Sequence, residues 1–229
     1  MKKIRKYIYL IILIILAFLA NCFNNMVLAK TGKNEESTEE KIRKYENIVF
    51  LGDSITDYYP IDEIYGDLPI INSGISGYKT TDILPRLEEM VYRYNPTSIY
   101  LLIGTNDLIQ NKEEDKEQAI ENIKEILKKI TEKKKKAKIY VESIYPINTN
   151  LDKTKDMVGK RENETIMEVN EEIKKYCKEN KYEYIDMYSE LTDSDGNFSK
   201  EYTNDGLHPN DLGYAKITRI LLPYIYGIK

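Results

Sequence analysis

Histidine and cysteine are almost missing from this chain of 229 residues, which has one histidine and two cysteines. The cysteines are Cys22 and Cys177, and only Cys177 lies in the part expected to fold. No internal disulfide can brace that part. One imidazole and one thiol also fall short of a zinc ligand set, so no metal site is expected. The setting Ile173-Lys174-Lys175-Tyr176-Cys177 reads instead as a buried helical thiol. There is no internal repeat, which excludes a solenoid. Past residue 29 there is no long apolar segment of the kind that forms a lipase lid.

Acidic side chains are missing from the first 29 residues. Lys2, Lys3, Arg5 and Lys6 form a positive start, Ile8 to Ala20 is an unbroken apolar run, and Val27-Leu28-Ala29 precedes polar sequence. This is the pattern of a secretory signal cut near Ala29. The same run, left uncut, would anchor the chain with its positive flank in the cytoplasm. Leu19-Ala20-Asn21-Cys22 approaches a bacterial lipidation motif, but Asn21 is not the small residue such a motif needs. Three divisions follow: 1–29 as signal or anchor, 30–46 as a polar linker, and 47–229 as the folded domain. Without the four basic residues of the leader, 30 Lys and Arg face 38 Asp and Glu, a formal charge of −8. An exported acidic domain is a poor partner for nucleic acid. It is expected outside the cell or at its surface, with a membrane contact only if the first segment is retained.

Five short apolar runs read as strands: from Ile48 to Leu51, from Pro69 to Ile71, from Ser98 to Ile103, from Lys138 to Ile144 and from Tyr182 to Asp186. Their continuous apolar character suits strands covered on both faces. Helical spacing links Ile83, Leu87, Met90, Val91 and Tyr94; Ala119 to Ile130; Ile166 to Cys177; and Leu212 to Leu221. Strand–helix alternation predicts an α/β fold, a parallel sheet between two layers of helices. The polar stretch from Asn148 to Glu162 reads as a loop near the site face. Lys133 to Lys136 reads as a solvated helix end whose cations suit the helix dipole. The 20 tyrosines allow a sugar-stacking platform, although many fall on predicted strands and helix faces.

In such a sheet, ligands bind beyond the carboxyl ends of the strands. Gly52-Asp53-Ser54 follows the first strand, Asn72-Ser73-Gly74 the second and Gly104-Thr105-Asn106-Asp107 the third. Asp205-Gly206-Leu207-His208-Pro209 precedes the last helix. Each segment alone has a plain reading as a turn or cap; their order and placement together do not. Acyl transfer needs a nucleophile, a base, an orienter and an oxyanion hole. Ser54 suits the first, His208 the second and Asp205 the third. The Ser54 and Gly74 backbone N–H groups and the Asn106 side chain suit the hole. Asp53 reads as a structural residue of the serine loop.

These four blocks resemble those of the SGNH, or GDSL-type, hydrolase family, with Ile55 standing where the family name implies leucine. The resemblance covers about Ile48 to Tyr224. It implies a flavodoxin-like three-layer α/β/α sandwich with a five-stranded parallel sheet and no metal or organic cofactor. It implies a carboxylic ester hydrolase, with a small-molecule or polysaccharide ester as the expected substrate. Short acyl or O-acetyl groups on carbohydrate fit an extracellular setting. A lysophospholipase or lipase, and a non-catalytic carbohydrate-binding module, are the alternatives. There is no Gly-x-Ser-x-Gly around Ser54, so the α/β-hydrolase nucleophile elbow does not apply.

Overall fold

The structure, a computed structural model, describes residues 47–151 and 155–228. The expected divisions 1–29 and 30–46 lie outside the described residues. Among the described residues, no helix is long and apolar enough to cross a membrane. Five strands, β1 (Ile48–Gly52), β2 (Ile70–Gly74), β3 (Ser98–Leu102), β4 (Lys138–Glu142) and β5 (Glu183–Ile185), form one parallel sheet. Their order is β2-β1-β3-β4-β5. The predicted runs for β3 and β4 overshoot by one and two residues, and β2 runs on to Gly74.

Side chains alternate across the sheet, as strand geometry requires. Val49, Leu51, Ile99, Leu101, Ile139 and Val141 face one core. Ile48, Phe50, Tyr100, Leu102, Tyr140 and Ile185 face the other. In-register pairing puts Phe50 beside Tyr100 and Tyr100 beside Tyr140. Their rings stack at centroid distances of 4.8 and 4.6 Å. Tyr59, Tyr65, Tyr145, Tyr188 and Tyr214 are buried as well, so much of the tyrosine content is core.

The first core is closed by α3 (Thr80–Ile83), α4 (Leu87–Met90), α5 (Glu113–Lys133), α6 (Lys155–Val158) and α7 (Asn163–Asn180). The second is closed by α1 (Ser54–Asp57), α2 (Ile61–Tyr65), α8 (Met187–Leu191) and α9 (Asp211–Ile225). This is the expected three-layer sandwich. Cys177 is a buried free thiol on α7, and burial pushes its pKa up to about 12.

Two expectations are corrected. The single helix expected from Ile83 to Tyr94 is broken into α3, a 3₁₀ turn at Leu84–Arg86, α4 and a second 3₁₀ turn at Tyr92–Tyr94. Pro85 lacks the N–H that an α-helix needs there, and Val91 leaves helical geometry at φ −132°. The stretch from Asn148 to Glu162, expected as a loop, is not loop throughout. It contains α6, and Asn148, Val158 and Arg161 are buried. The Asn148 side chain donates to the Phe198 carbonyl at 2.7 Å, and its backbone N–H donates to the Gly206 carbonyl at 2.9 Å.

The strand order reverses direction between β1 and β3. Ser54 follows the first of these strands and Asn106 the second. The two therefore flank the crevice where open α/β sheets hold their ligands.

Candidate active site

Ser54 owes its position to Asp53. The Asp53 side chain caps α1 by accepting the Ile55 N–H at 3.0 Å, so the chain leaves β1 and turns into a helix within one residue. Ser54 is the first residue of that helix, where a backbone N–H has no intrahelical acceptor. Asp53 is fully buried, its second carboxylate oxygen has no partner, and burial lifts its pKa to about 7. The Ile55 amide and the charge of Arg161 oppose that rise.

His208 meets Ser54 across 154 positions of sequence. Its Nε2 lies 2.9 Å from Ser54 Oγ, and its Nδ1 lies 2.7 Å from Asp205 Oδ2. The other Asp205 oxygen accepts the Leu207 and His208 backbone N–H groups at 2.9 and 2.8 Å. Asp205 thus holds both the imidazole and the turn that carries it. Burial alone would raise the Asp205 carboxyl. The bonds from the His208 ring and the two amides outweigh burial and hold it below the usual carboxylate range. Thr203 Oγ1 donates to the His208 carbonyl at 2.8 Å and accepts the Gly206 N–H at 3.0 Å. Tyr58, 55% exposed, places its ring centroid 5.3 Å from that of His208.

The structure brings Gly74 and Asn106 to the same edge but commits parts of each. The Gly74 N–H, expected to face an oxyanion, donates to Asn72 Oδ1 at 2.9 Å. The Asn72 amide in turn donates to the Thr56 carbonyl at 2.8 Å, tying β2 to α1. Gly74 is needed for that approach: a Cβ there would lie 2.2 Å from the Asp57 nitrogen. Asn106 Nδ2 donates to the Tyr78 carbonyl at 3.0 Å, which uses one of its two N–H bonds. Asp107 stabilises the same turn from beneath, accepting the Thr80 hydroxyl at 2.6 Å and the Thr80 N–H at 3.1 Å. Gly104, at φ +125°, supplies a backbone conformation that a side chain would oppose.

Sequence reasoning missed Arg161. Its guanidinium is buried against the Asn106 turn, with Nε donating to the Thr105 carbonyl at 2.6 Å and Nη2 to Asn106 Oδ1 at 3.0 Å. Lys160-Arg161-Glu162 in a polar stretch carries no signal that would single it out. A cleft of about 560 Å³ lies at the opposite end of β4 and β5, lined by Lys134, Lys138, Tyr140, Lys181 and Tyr182. None of the side chains around Ser54 lines it. Among the described residues, no cluster of histidine, cysteine and acidic side chains is arranged to hold a metal.

Residues 50–216 match the model of the GDSL-like lipase/acylhydrolase family. A solved structure from Streptococcus pneumonia, provisionally described as a platelet activating factor, is 31% identical, with a TM-score of 0.73 over 92% of this chain and 99% of that one. An acetylxylan esterase from Geobacillus stearothermophilus shares the fold at 20% identity, with a TM-score of 0.61 over 79% of this chain and 94% of that one. Among curated proteins, an N-acylneuraminate cytidylyltransferase of Escherichia coli is 29% identical over 173 residues. That match covers 74% of this chain and spans only 38% of the relative's length. With most of the chain inside the family match, and a hydroxyl, an imidazole and a carboxylate joined at the switch of the sheet, this protein belongs to the GDSL-like lipase/acylhydrolase family and is an ester hydrolase.

Proposed function

We propose that the protein is a serine esterase acting on short acyl esters, in particular O-acetyl groups on carbohydrate, through Ser54, His208 and Asp205. The observation that carries the mechanism is the unbroken Ser54–His208–Asp205 chain of contacts at 2.9 and 2.7 Å, made by the one histidine of the sequence. His208 Nε2 takes the Ser54 hydroxyl proton as Oγ bonds to the ester carbonyl carbon. The tetrahedral oxyanion collapses, the C–O bond to the alcohol breaks, and Nε2 returns the proton to the leaving oxygen. Water then repeats the sequence on the acyl-enzyme and releases the carboxylic acid. Asp205 holds the tautomer and stabilises the imidazolium.

The Ser54 N–H, the Gly74 N–H and the free N–H of Asn106 Nδ2 are the oxyanion donors in this reading. An anionic oxygen is a stronger acceptor than the neutral Asn72 amide, so it draws the exposed Gly74 N–H away from Asn72. Support for a short acyl group comes from the sequence of 148–162, which is polar and has Leu151, Met157 and Val158 as its only large apolar residues, little apolar surface for a long chain. The sugar reading draws on the acetylxylan esterase and the N-acylneuraminate enzyme among the relatives. Export or tethering is part of the same proposal, supported by the basic start and apolar run of residues 2–20.

The test uses the full chain. A fluorophosphonate probe should label Ser54, and Ser54→Ala should abolish both labelling and hydrolysis; labelling at Ser73 or Ser76 would refute the assignment. With p-nitrophenyl esters, kcat/KM should peak between acetyl and butyryl. A steady rise through octanoyl would favour a lysophospholipase or lipase.

A further inference from the structure

Arg161 is 2% exposed, yet among the described residues its guanidinium makes no direct salt bridge. Its bonds go to the carbonyls of Thr105, Met157 and Val158 and to the side-chain oxygen of Asn106, at 2.6, 3.1, 2.8 and 3.0 Å. Burying a cation without a contacting anion is costly, and an apolar residue of similar volume would serve packing better. The charge is retained at a defined place, against the back of the one side chain that the proposed mechanism requires to donate to an oxyanion.

An asparagine amide can be turned over, exchanging oxygen and nitrogen. Arg161 removes that freedom. Its Nη2–H faces Asn106 Oδ1, and a flipped amide would set N–H against N–H. The Tyr78 carbonyl, accepting from Nδ2 at 3.0 Å, selects the same orientation from the other side. Two anchors therefore leave one N–H, aimed by elimination. A cation donating to the amide oxygen also withdraws electron density from the amide nitrogen, and hydrogen bonds in such a chain strengthen one another. The remaining N–H becomes a better donor as negative charge builds on the substrate oxygen. The guanidinium stays protonated at neutral pH, because burial lowers its pKa only to about 10 and the nearby Asp53 opposes the fall.

We propose that Arg161 is a positioning residue of the oxyanion hole, orienting and polarising the Asn106 side-chain amide. The inference rests on the reading of Asn106 as an oxyanion donor. Through Nη1 the same guanidinium grips the Met157 and Val158 carbonyls, so the end of α6 and the amide orientation are set by one side chain.

The test is a set of double-mutant cycles on the full chain, assayed with p-nitrophenyl acetate and checked by thermal unfolding. Arg161→Met and Arg161→Lys are each made in the wild-type and Asn106→Ala backgrounds. Losing an oxyanion donor outright costs about 10²–10³ in kcat, so Asn106→Ala should fall in that range and Arg161→Met about tenfold short of it. KM should stay within about threefold, because the interaction strengthens in the transition state. In the Asn106→Ala background the Arg161 substitutions should lower kcat no further. If Arg161→Met does not fold, Arg161→Lys carries the test, since one ammonium cannot bridge the Thr105 carbonyl and Asn106 Oδ1 in the guanidinium's geometry. Its loss in kcat should likewise vanish without Asn106. An unchanged kcat in Asn106→Ala would refute the donor reading itself. A normal loss in Asn106→Ala, with Arg161 effects that multiply onto it undiminished, would overturn the role of Arg161 alone. So would wild-type kcat in a folded Arg161 variant.

Discussion

Asp205→Asn isolates what the carboxylate contributes to catalysis from what it contributes to folding. Asp205 Oδ1 accepts the Leu207 and His208 amides, while Oδ2 faces His208 Nδ1. An asparagine can keep its oxygen on the two amides and leave the turn intact. Its NH₂ then faces Nδ1, which must become an acceptor. The imidazole proton moves to Nε2, the atom 2.9 Å from Ser54 Oγ, and no lone pair remains to take the serine proton. Flipping the asparagine would restore the tautomer but would set NH₂ against two backbone N–H groups. Each bond lost there costs about 1–3 kcal/mol, so the unproductive arrangement is favoured. A base held in the wrong tautomer lowers kcat by about 10⁴, equal to about 5 kcal/mol of barrier. The assay is hydrolysis of p-nitrophenyl acetate by the full chain, with Tm measured in parallel. The expected result is a large loss of kcat with Tm nearly unmoved. Asp205→Ala, which frees both amides as well, should lower Tm in addition. An Asp205→Asn enzyme that keeps a tenth or more of wild-type kcat would refute the tautomer argument and leave a serine–histidine pair working without an orienter.

Glu142 is buried at the end of β4, and burial lifts its pKa from 4.5 to about 7 against the opposing bond from the Tyr145 hydroxyl. The folded chain then holds a proton that the unfolded chain releases between those values. Stability therefore falls as pH rises across that window, by about 3 kcal/mol from this group at 1.36 kcal/mol per pKa unit. In urea titrations from pH 4.5 to 8, Glu142→Gln should remove that part of the slope, and an unaltered slope would show that Glu142 is not the source. Gly74→Ala places a Cβ 2.2 Å from the Asp57 nitrogen and 2.6 Å from the Thr56 carbonyl carbon, both backbone atoms that cannot swing aside. The end of β2 must retreat from α1, so kcat should drop by about 10² with a lower Tm; full activity in this variant would remove Gly74 from the site.

The parts of the site that were legible in the sequence are those whose chemistry is local. Ser54, Gly74 and Asn106 each follow a run of β-branched and aromatic residues, and an apolar run that stops at Gly-Asp-Ser or Gly-Thr-Asn marks a strand end whatever happens elsewhere. Asp205 and His208 are three residues apart, so their contact belongs to one turn. The errors in the fold have the same logic. The spacing of Ile83, Leu87, Met90, Val91 and Tyr94 reports a buried face, and short helical pieces bury that face as well as one long helix does. The periodicity could not report the break; Pro85 could, because its missing N–H is a local fact.

Arg161 and Asn72 lie on the other side of that divide. Asn72 and Gly74 stand two apart, the spacing of a side chain that bonds its own backbone, yet only the fold shows that the Asn72 side chain takes the Gly74 N–H while its amide reaches across to α1. Arg161 resembles a surface cation in every respect that composition or spacing can register. Its significance arises when α6 brings it under the Asn106 turn, 55 positions away in sequence. Burial turns an ordinary arginine into a fixed charge, and a fixed charge behind an amide turns an asparagine into an oriented dipole. Preorganised dipoles of this kind act without reorganising at the moment of reaction, which is what makes oxyanion stabilisation effective. In the proposed mechanism the reacting groups lie in four short motifs, whereas the orientation of one of them depends on a residue outside all four.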